Sequence, residues 1–177
     1  MKSKLADNLS HKTDGVFSDR KRRMYAFLRN NPTAVLSSVD AIGDPHGTVI
    51  YFAIDKDFTI SFLTKKQTKK YDNLQYNNRI MLTVFEPHTQ TIAQVVGMAT
   101  EIKSSYEVIA IASTVLAASL KTNPSGTPPL AKLEAGPYVA FKVDLVQVRM
   151  AIYSRPDSGD YRELFESIES FELTDKG

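Results

Sequence analysis

At Asn31-Pro32 the chain leaves a helical hydrophobic period for a period of two and, with one helical interruption, keeps to it as far as Ile102. Proline cannot continue a helix and drives the residue before it to extended backbone, so the preceding helix must stop there. Strands that follow one another this closely leave no room for crossover connections and must pair antiparallel. Residues 33–40 and 47–54 read as a hairpin about Ile42-Gly43-Asp44-Pro45. Asp55-Lys56-Asp57 turns the chain into a third strand over 58–63, and 80–85 with 89–102 form a second pair about Glu86-Pro87-His88. Within it, Ile80, Leu82 and Val84 are expected to face one way and Met81, Thr83 and Phe85 the other, the alternation of a barrel wall. A sixth, long strand is expected over 138–153.

Helices punctuate this pattern. Ser18 can cap one that runs to Asn30, with Met24, Phe27 and Leu28 on one face and Arg20-Lys21-Arg22-Arg23 in its first turns. That charge run reads as a solvated face, with a second anion contact or a nucleic-acid patch as the alternative. Ser104-Ser105-Tyr106-Glu107 is a capping box, and the helix it opens is so apolar up to Leu120 that it must be covered on most sides, as at a subunit interface. The loop over 121–136 is rich in Pro and Gly, and 161–171 reads as an acidic amphipathic helix. The fold class is therefore mainly β with inserted helices: a six-stranded antiparallel split barrel. Its organisation is a loose arm over 1–17, one domain over 18–155 and a helical extension over 156–177.

Composition bounds the function. With 22 basic and 20 acidic residues, the net charge of +2 is too balanced for nucleic-acid binding by bulk electrostatics. No cysteine occurs, which removes disulfides and thiolate metal sites and points to a reducing, cytoplasmic setting. The run from Val108 to Leu120 is too short to span a bilayer, and Met1 to Asp14 lacks the apolar core of a signal peptide.

The chemistry concentrates where the third strand hands over to a helix, in Phe62-Leu63-Thr64-Lys65-Lys66-Gln67-Thr68-Lys69-Lys70-Tyr71-Asp72-Asn73-Leu74. A helix N-terminus presents unpaired N–H groups and a partial positive charge, which suit an anion and not a crowd of lysines. Four ammonium groups there make sense around a phosphate. Thr64 with Gln67 forms a possible capping box and Thr68 a second possible N-cap one turn later, and the sequence leaves open which hydroxyl caps.

Other sites are thinly supported. His11, His46 and His88 belong to no nucleophile elbow, and no Gly-rich phosphate loop is present. Asp44-Pro45-His46 and Glu86-Pro87-His88 form a matched pair that could offer two imidazoles and two carboxylates to a metal or a haem iron, although turn chemistry explains both more simply. A phosphate site on a barrel without an acid–base constellation suggests a cofactor that brings its own reactivity.

Taken together, strand–Phe62-Leu63-Thr64–three residues–Thr68-Lys69-Lys70–helix–Asn77-Asn78–strand, the strand after Gly43-Asp44-Pro45-His46 and the strand ending at Gly97-Met98-Ala99 resemble the flavin-binding split barrels of the pyridoxamine 5′-phosphate oxidase superfamily, in particular its small bacterial general-stress-protein branch. The resemblance covers about 33–103 and a last strand from Tyr138. It implies a homodimer with FMN at the subunit interface, the phosphate held by Thr68, Lys69 and Lys70, and Thr64 close to the phosphate or ribityl chain. It further implies that the backbone of Thr48, Val49 and Ile50 runs along the ring, that Val49, Ile50 and Leu63 supply an apolar wall, and that Gln94 reaches the ring from the partner chain. Two departures argue against vitamin B6 oxidation: Thr48 stands where those oxidases usually carry Arg, and after Tyr138 no Arg-x-His motif occurs, neither Arg149 nor Arg155 being followed by a His. The expectation is an FMN-dependent oxidoreductase of undetermined substrate. The alternatives are a haem or tetrapyrrole binder using His46 and His88, and a non-enzymatic module for a phosphorylated ligand or nucleic acid.

Overall fold

The computed structural model describes residues 19–122, 136–153 and 167–172. The expected arm, the Ser18 cap, Arg155 and most of the Pro/Gly-rich loop lie outside them. In chain order the elements are α1 (residues 19–30), β1 (Thr33–Val39), β2 (Pro45–Ile54), β3 (Thr59–Lys65), α2 (Lys69–Tyr76), β4 (Arg79–Glu86), β5 (Thr91–Glu101), α3 (Ser105–Thr122), β6 (Tyr138–Ile152) and β7 (Ser167–Glu172).

Six strands close a ring in the order β3-β2-β1-β4-β5-β6, because the first half of β6 pairs back onto β3 from Thr59↔Asp144 to Lys65↔Tyr138. Every pairing is antiparallel, as the short connections require. The second half of β6 leaves β3 behind, and β7 takes that edge from Gln147↔Glu172 to Ile152↔Ser167. This corrects the amphipathic helix expected over 161–171, whose last residues are strand. A strand edge with unpaired N–H and C=O groups offers more than the local period does, so pairing overrides propensity there.

Alternation sorts the side chains. Leu36, Phe52, Ile60, Phe62, Leu82, Val84, Val95, Val143 and Val148 are buried inside the ring, and Phe62 stacks on Phe141 at 5.4 Å. Helices plug the two ends: α1 inserts Met24 and Leu28 at the end where β1 begins, and α2 inserts Leu74 at the end where β1 finishes. Outside the ring, α3 lays Ile111 and Val115 over Tyr51, Ala53, Leu63 and Ala140. Among the described residues only that face of α3 is covered, and Tyr106, Ile109, Leu116 and Leu120 are exposed. Ser104 accepts from the Glu107 amide, as the capping box requires.

Each hairpin is tied by the carboxylate that ends its first strand. Asp40 accepts from the amides of Ile42 and Asp44, Asp55 from those of Asp57 and Thr59, and Glu86 from those of His88 and Thr89. Gly43, at φ 91°, supplies the left-handed residue of the first turn. No helix among the described residues is long and apolar enough to cross a membrane.

Candidate functional site

Beyond Lys65 the chain bends, with the Lys66 amide donating to the Pro137 carbonyl, and enters α2 at Lys69. The choice between caps resolves to Thr68, whose extended backbone (φ −130°, ψ 144°) and hydroxyl receive the Tyr71 amide. The Thr68 hydroxyl donates to the Lys65 carbonyl at 2.7 Å and lies 3.1 Å from the Thr64 hydroxyl. A hydroxyl has one proton, so Thr64 is the donor of that last pair. Both protons are thereby used within the corner. What remains for an anion are the amides of Lys69 and Lys70, which meet no protein acceptor among the described residues.

The four lysines part company. Lys65 lies over the Tyr138 ring at 4.8 Å, and Lys69 reaches the Asp40 carboxylate at 3.2 Å. The Asp40 carboxyl is held below its usual range chiefly by the Asp44 amide, with Lys69 adding to the effect. Lys66 is exposed. Lys70 is buried to 8% exposure, no carboxylate or other acceptor engages its amine among the described residues, and burial pushes its pKa down. A buried cation without a partner is costly and is the group on this surface that gains most from a bound anion.

From Lys70 a polar row runs into the barrel end. Asn73, three residues on and buried on the same helical face, donates to the buried Ser38 hydroxyl at 3.1 Å. Ser38 is the cross-strand partner of His46, whose Nδ1 is buried without a hydrogen bond. Asn73 and Ser38 were not among the expected site residues. Asn73 carried a signal, since its spacing from Lys70 places both on one helix face.

The β2 strand supplies an open edge. Its pairing with β3 covers only Phe52 to Ile54, so the stretch from Gly47 to Tyr51 is paired on the β1 side alone. The Phe52 amide donates toward β1, to the Pro32 carbonyl, and the Asp55 amide toward β3, to Thr59. Alternation then puts the amides of Thr48 and Ile50 in the β1 ladder and leaves that of Val49 facing the opening. Of the three residues expected to line a ring, only Val49 offers a free amide, and its side chain is 62% exposed. The Ile50 side chain belongs to the core, and Leu63 lies under α3. Thr48 faces inward opposite Leu36.

Val49, Val35, Thr83 and Gln94 form one row across the outer face, in pairs Val35↔Val49, Val35↔Thr83 and Thr83↔Gln94. Three strand spacings separate Val49 from Gln94, roughly 14 Å. Gln94 therefore stands well away from the β2 edge of its own chain.

The matched His pair is not brought together. His46 sits at the β1–β2 hairpin end of the barrel and His88 at the β4–β5 turn, and β1 and β4 run antiparallel, so the two imidazoles occupy opposite ends. Glu86 is engaged by its own turn. Among the described residues no group of three or more His, Cys, Asp or Glu could hold a metal ion. Within one chain this placement does not bring the two motifs together into a joint metal or haem site.

The sequence profile of the family described as pyridoxamine 5′-phosphate oxidase matches residues 21–152. No curated protein matches the chain. Among solved structures, a pyridoxamine 5′-phosphate oxidase-related, FMN-binding protein from Nostoc punctiforme PCC 73102 is 18% identical, with a TM-score of 0.51 over 82% of this chain and 92% of its own. General stress protein 26 from Bacillus anthracis str. Sterne is 21% identical, with a TM-score of 0.54 over 73% and 92%. A heme-binding protein from Mycobacterium smegmatis is 13% identical, with a TM-score of 0.55 over 84% of this chain and 57% of its own. At such identities these likenesses establish the split-barrel fold. The profile, matched over about three quarters of the length, establishes more: this chain belongs to the pyridoxamine 5′-phosphate oxidase family.

Proposed function

We propose that this protein binds FMN and uses it as an oxidoreductase on a small molecule, as a homodimer in a reducing cytoplasm. The observation that carries the reading is the desolvated Lys70 amine beside the two amides that open α2, none of which meets a partner among the described residues. A phosphate seated there would gain both amides, the helix dipole and a buried cation at once. The free Val49 amide on the open β2 edge suits the polar rim of a flavin ring, and the exposed Val49 and Val35 side chains suit its face. Gln94, too far from Val49 in its own chain, would approach the ring from a second copy. Bound flavin would supply the hydride and electron transfer, while the protein binds, orients and tunes it. Thr48 in place of an arginine argues against vitamin B6 phosphate as the substrate. Titrating FMN into the purified protein and following flavin fluorescence tests this: saturable quenching at one flavin per chain is expected, and unchanged fluorescence at millimolar protein contradicts it.

A second reading is a tetrapyrrole held through His46 alone, favoured by the unpartnered, buried Nδ1 of that residue. It predicts a Soret band on adding haem that is lost in His46→Ala and retained in His88→Ala.

A further inference from the structure

The α3 helix keeps an apolar stripe on the face turned away from the barrel. Its buried residues are Ile111, Val115 and Ser119, and half a turn from them stand Tyr106, Ile109, Leu116 and Leu120 at 84%, 66%, 49% and 43% exposure. The exposed small residues Ala110, Ser113 and Ala117 lie among them on the same face. From Val108 to Leu120 no charged residue occurs, so charge is confined to Glu107 and Lys121 near the two ends. Four large apolar side chains thus line roughly 21 Å of exposed helix. A helix that is apolar all round is one that is covered all round.

What fits the stripe is written in its spacing. Tyr106, Ile109, Ser113, Leu116 and Leu120 follow one another at alternating steps of three and four, the seam that packs on another helix at a shallow angle. The seam is also complementary to itself. With two copies antiparallel about a twofold axis at Ser113, residues equally far before and after Ser113 face each other. Leu116 then meets Ala110 of the second copy and Ile109 meets Ala117, a large side chain against a small one each time, while Tyr106 meets Leu120. At the axis the Ser113 hydroxyl donates to the Ile109 carbonyl of its own helix at 3.1 Å, so it brings no unpaired polar group into the contact.

We propose that α3 pairs antiparallel with α3 of a second copy of this chain, crossing at Ser113. This surface is separate from the one that would bring Gln94 to a partner. The helix lies on β2, β3 and β6 through Tyr51, Ala53, Leu63 and Ala140. In the closed ring those strands stand across from β1, β4 and β5, which carry Val35, Thr83 and Gln94. The inference therefore goes beyond the flavin reading and rests on no part of it. The α3 contact alone makes a dimer, and together with a contact on the opposite wall it makes a tetramer.

Because the chain has no cysteine, a single introduced one reports on its own position. Helices packed with axes about 8 Å apart bring facing Cα atoms within reach of a disulfide. Ser113→Cys in the full-length protein, oxidised with diamide, should crosslink most of the chain into a dimer on a denaturing gel. Lys121→Cys, whose two copies would stand roughly 24 Å apart along the helices, should not. In analytical ultracentrifugation Leu116→Arg, changed at an exposed position, should halve the mass of the wild-type assembly at the same concentration and leave FMN uptake as it was. Should that variant not fold by circular dichroism, Ala117→Glu carries the same comparison. A wild type that takes up no FMN but whose mass is halved by Leu116→Arg keeps this proposal and removes the flavin reading. The proposal is overturned if the folded variant and the wild type have the same mass, or if Ser113→Cys crosslinks no faster than Lys121→Cys, since α3 would then face something other than itself.

Discussion

The side-chain amide of Asn73 donates to the hydroxyl of Ser38 across 3.1 Å, with both groups buried, and so pins α2 to β1 one turn beyond Lys70. The helix that presents the candidate phosphate corner is thus held to the barrel by a polar bond as well as by Leu74, and the position of Lys70 depends on it. Asn73→Ala would leave the Ser38 hydroxyl buried without this partner, at a cost of about 1–3 kcal/mol. Urea unfolding should register that loss. Ser38→Ala/Asn73→Ala should cost less than the sum of the two single changes, since the bond can be lost only once.

Thr68 closes both the cap and the Thr64–Thr68–Lys65 hydrogen-bond chain. Thr68→Ala should destabilise the protein by about 0.5–2 kcal/mol, and Thr68→Ser should restore most of it, because the cap needs the hydroxyl and not the methyl. Thermal unfolding monitored by circular dichroism separates the two variants.

The lowered pKa of Lys70 has a definite sign in the apo protein. Below the depressed value the amine is charged in both folded and unfolded chains, and folding carries the full penalty of burying it. Between the depressed value and the usual 10.5 the unfolded chain binds more protons than the folded one, so stability rises with pH. Lys70→Met should therefore be more stable than the wild type at pH 7, by a margin that shrinks as pH approaches 10.5. Urea midpoints of both proteins across that window measure it, and a margin that grows with pH would contradict it.

Gly97 sits where the β5–β6 register shifts, and a Cβ there would come within 2.6 Å of Val143 Cγ1 and 2.7 Å of the Asp144 carbonyl oxygen. Backbone cannot yield as a flexible side chain does, so Gly97→Ala should cost about 1–3 kcal/mol. At Gly47 the nearest atom to such a Cβ is Val35 Cγ1 at 3.6 Å, an ordinary contact, and Gly47→Ala should fold with nearly unchanged stability. Denaturation of the two variants side by side provides the comparison.

The barrel was legible because its evidence is local. Alternation in Ile80–Val84, the turn at Gly43 and the cap at Ser104 all carry their instructions within a few residues. The corner was legible for the same reason, down to two candidate caps. What decided between them was the extended backbone at Thr68 and the Tyr71 amide that its hydroxyl receives, which only the path of the chain in space shows. The fate of the four lysines was not readable either, because their neighbours Tyr138 and Asp40 are distant in the chain. The last element misled, since Phe165, Ile168 and Phe171 have helical spacing in the sequence, whereas Ser167–Glu172 pairs along the edge of β6 as a strand. Strand direction, invisible in either motif alone, set His46 and His88 at opposite ends.

The claim that α2 receives a phosphate is tested most directly by the affinities of FMN and riboflavin for the wild type and for Lys70→Met, measured by fluorescence titration at one ionic strength. The two ligands differ only in the phosphate. Removing a charge-assisted contact worth about 1.5–3 kcal/mol should weaken FMN roughly tenfold to over a hundredfold and leave riboflavin unchanged. Equal losses for both ligands, or a wild type that binds riboflavin as tightly as FMN, would contradict the account.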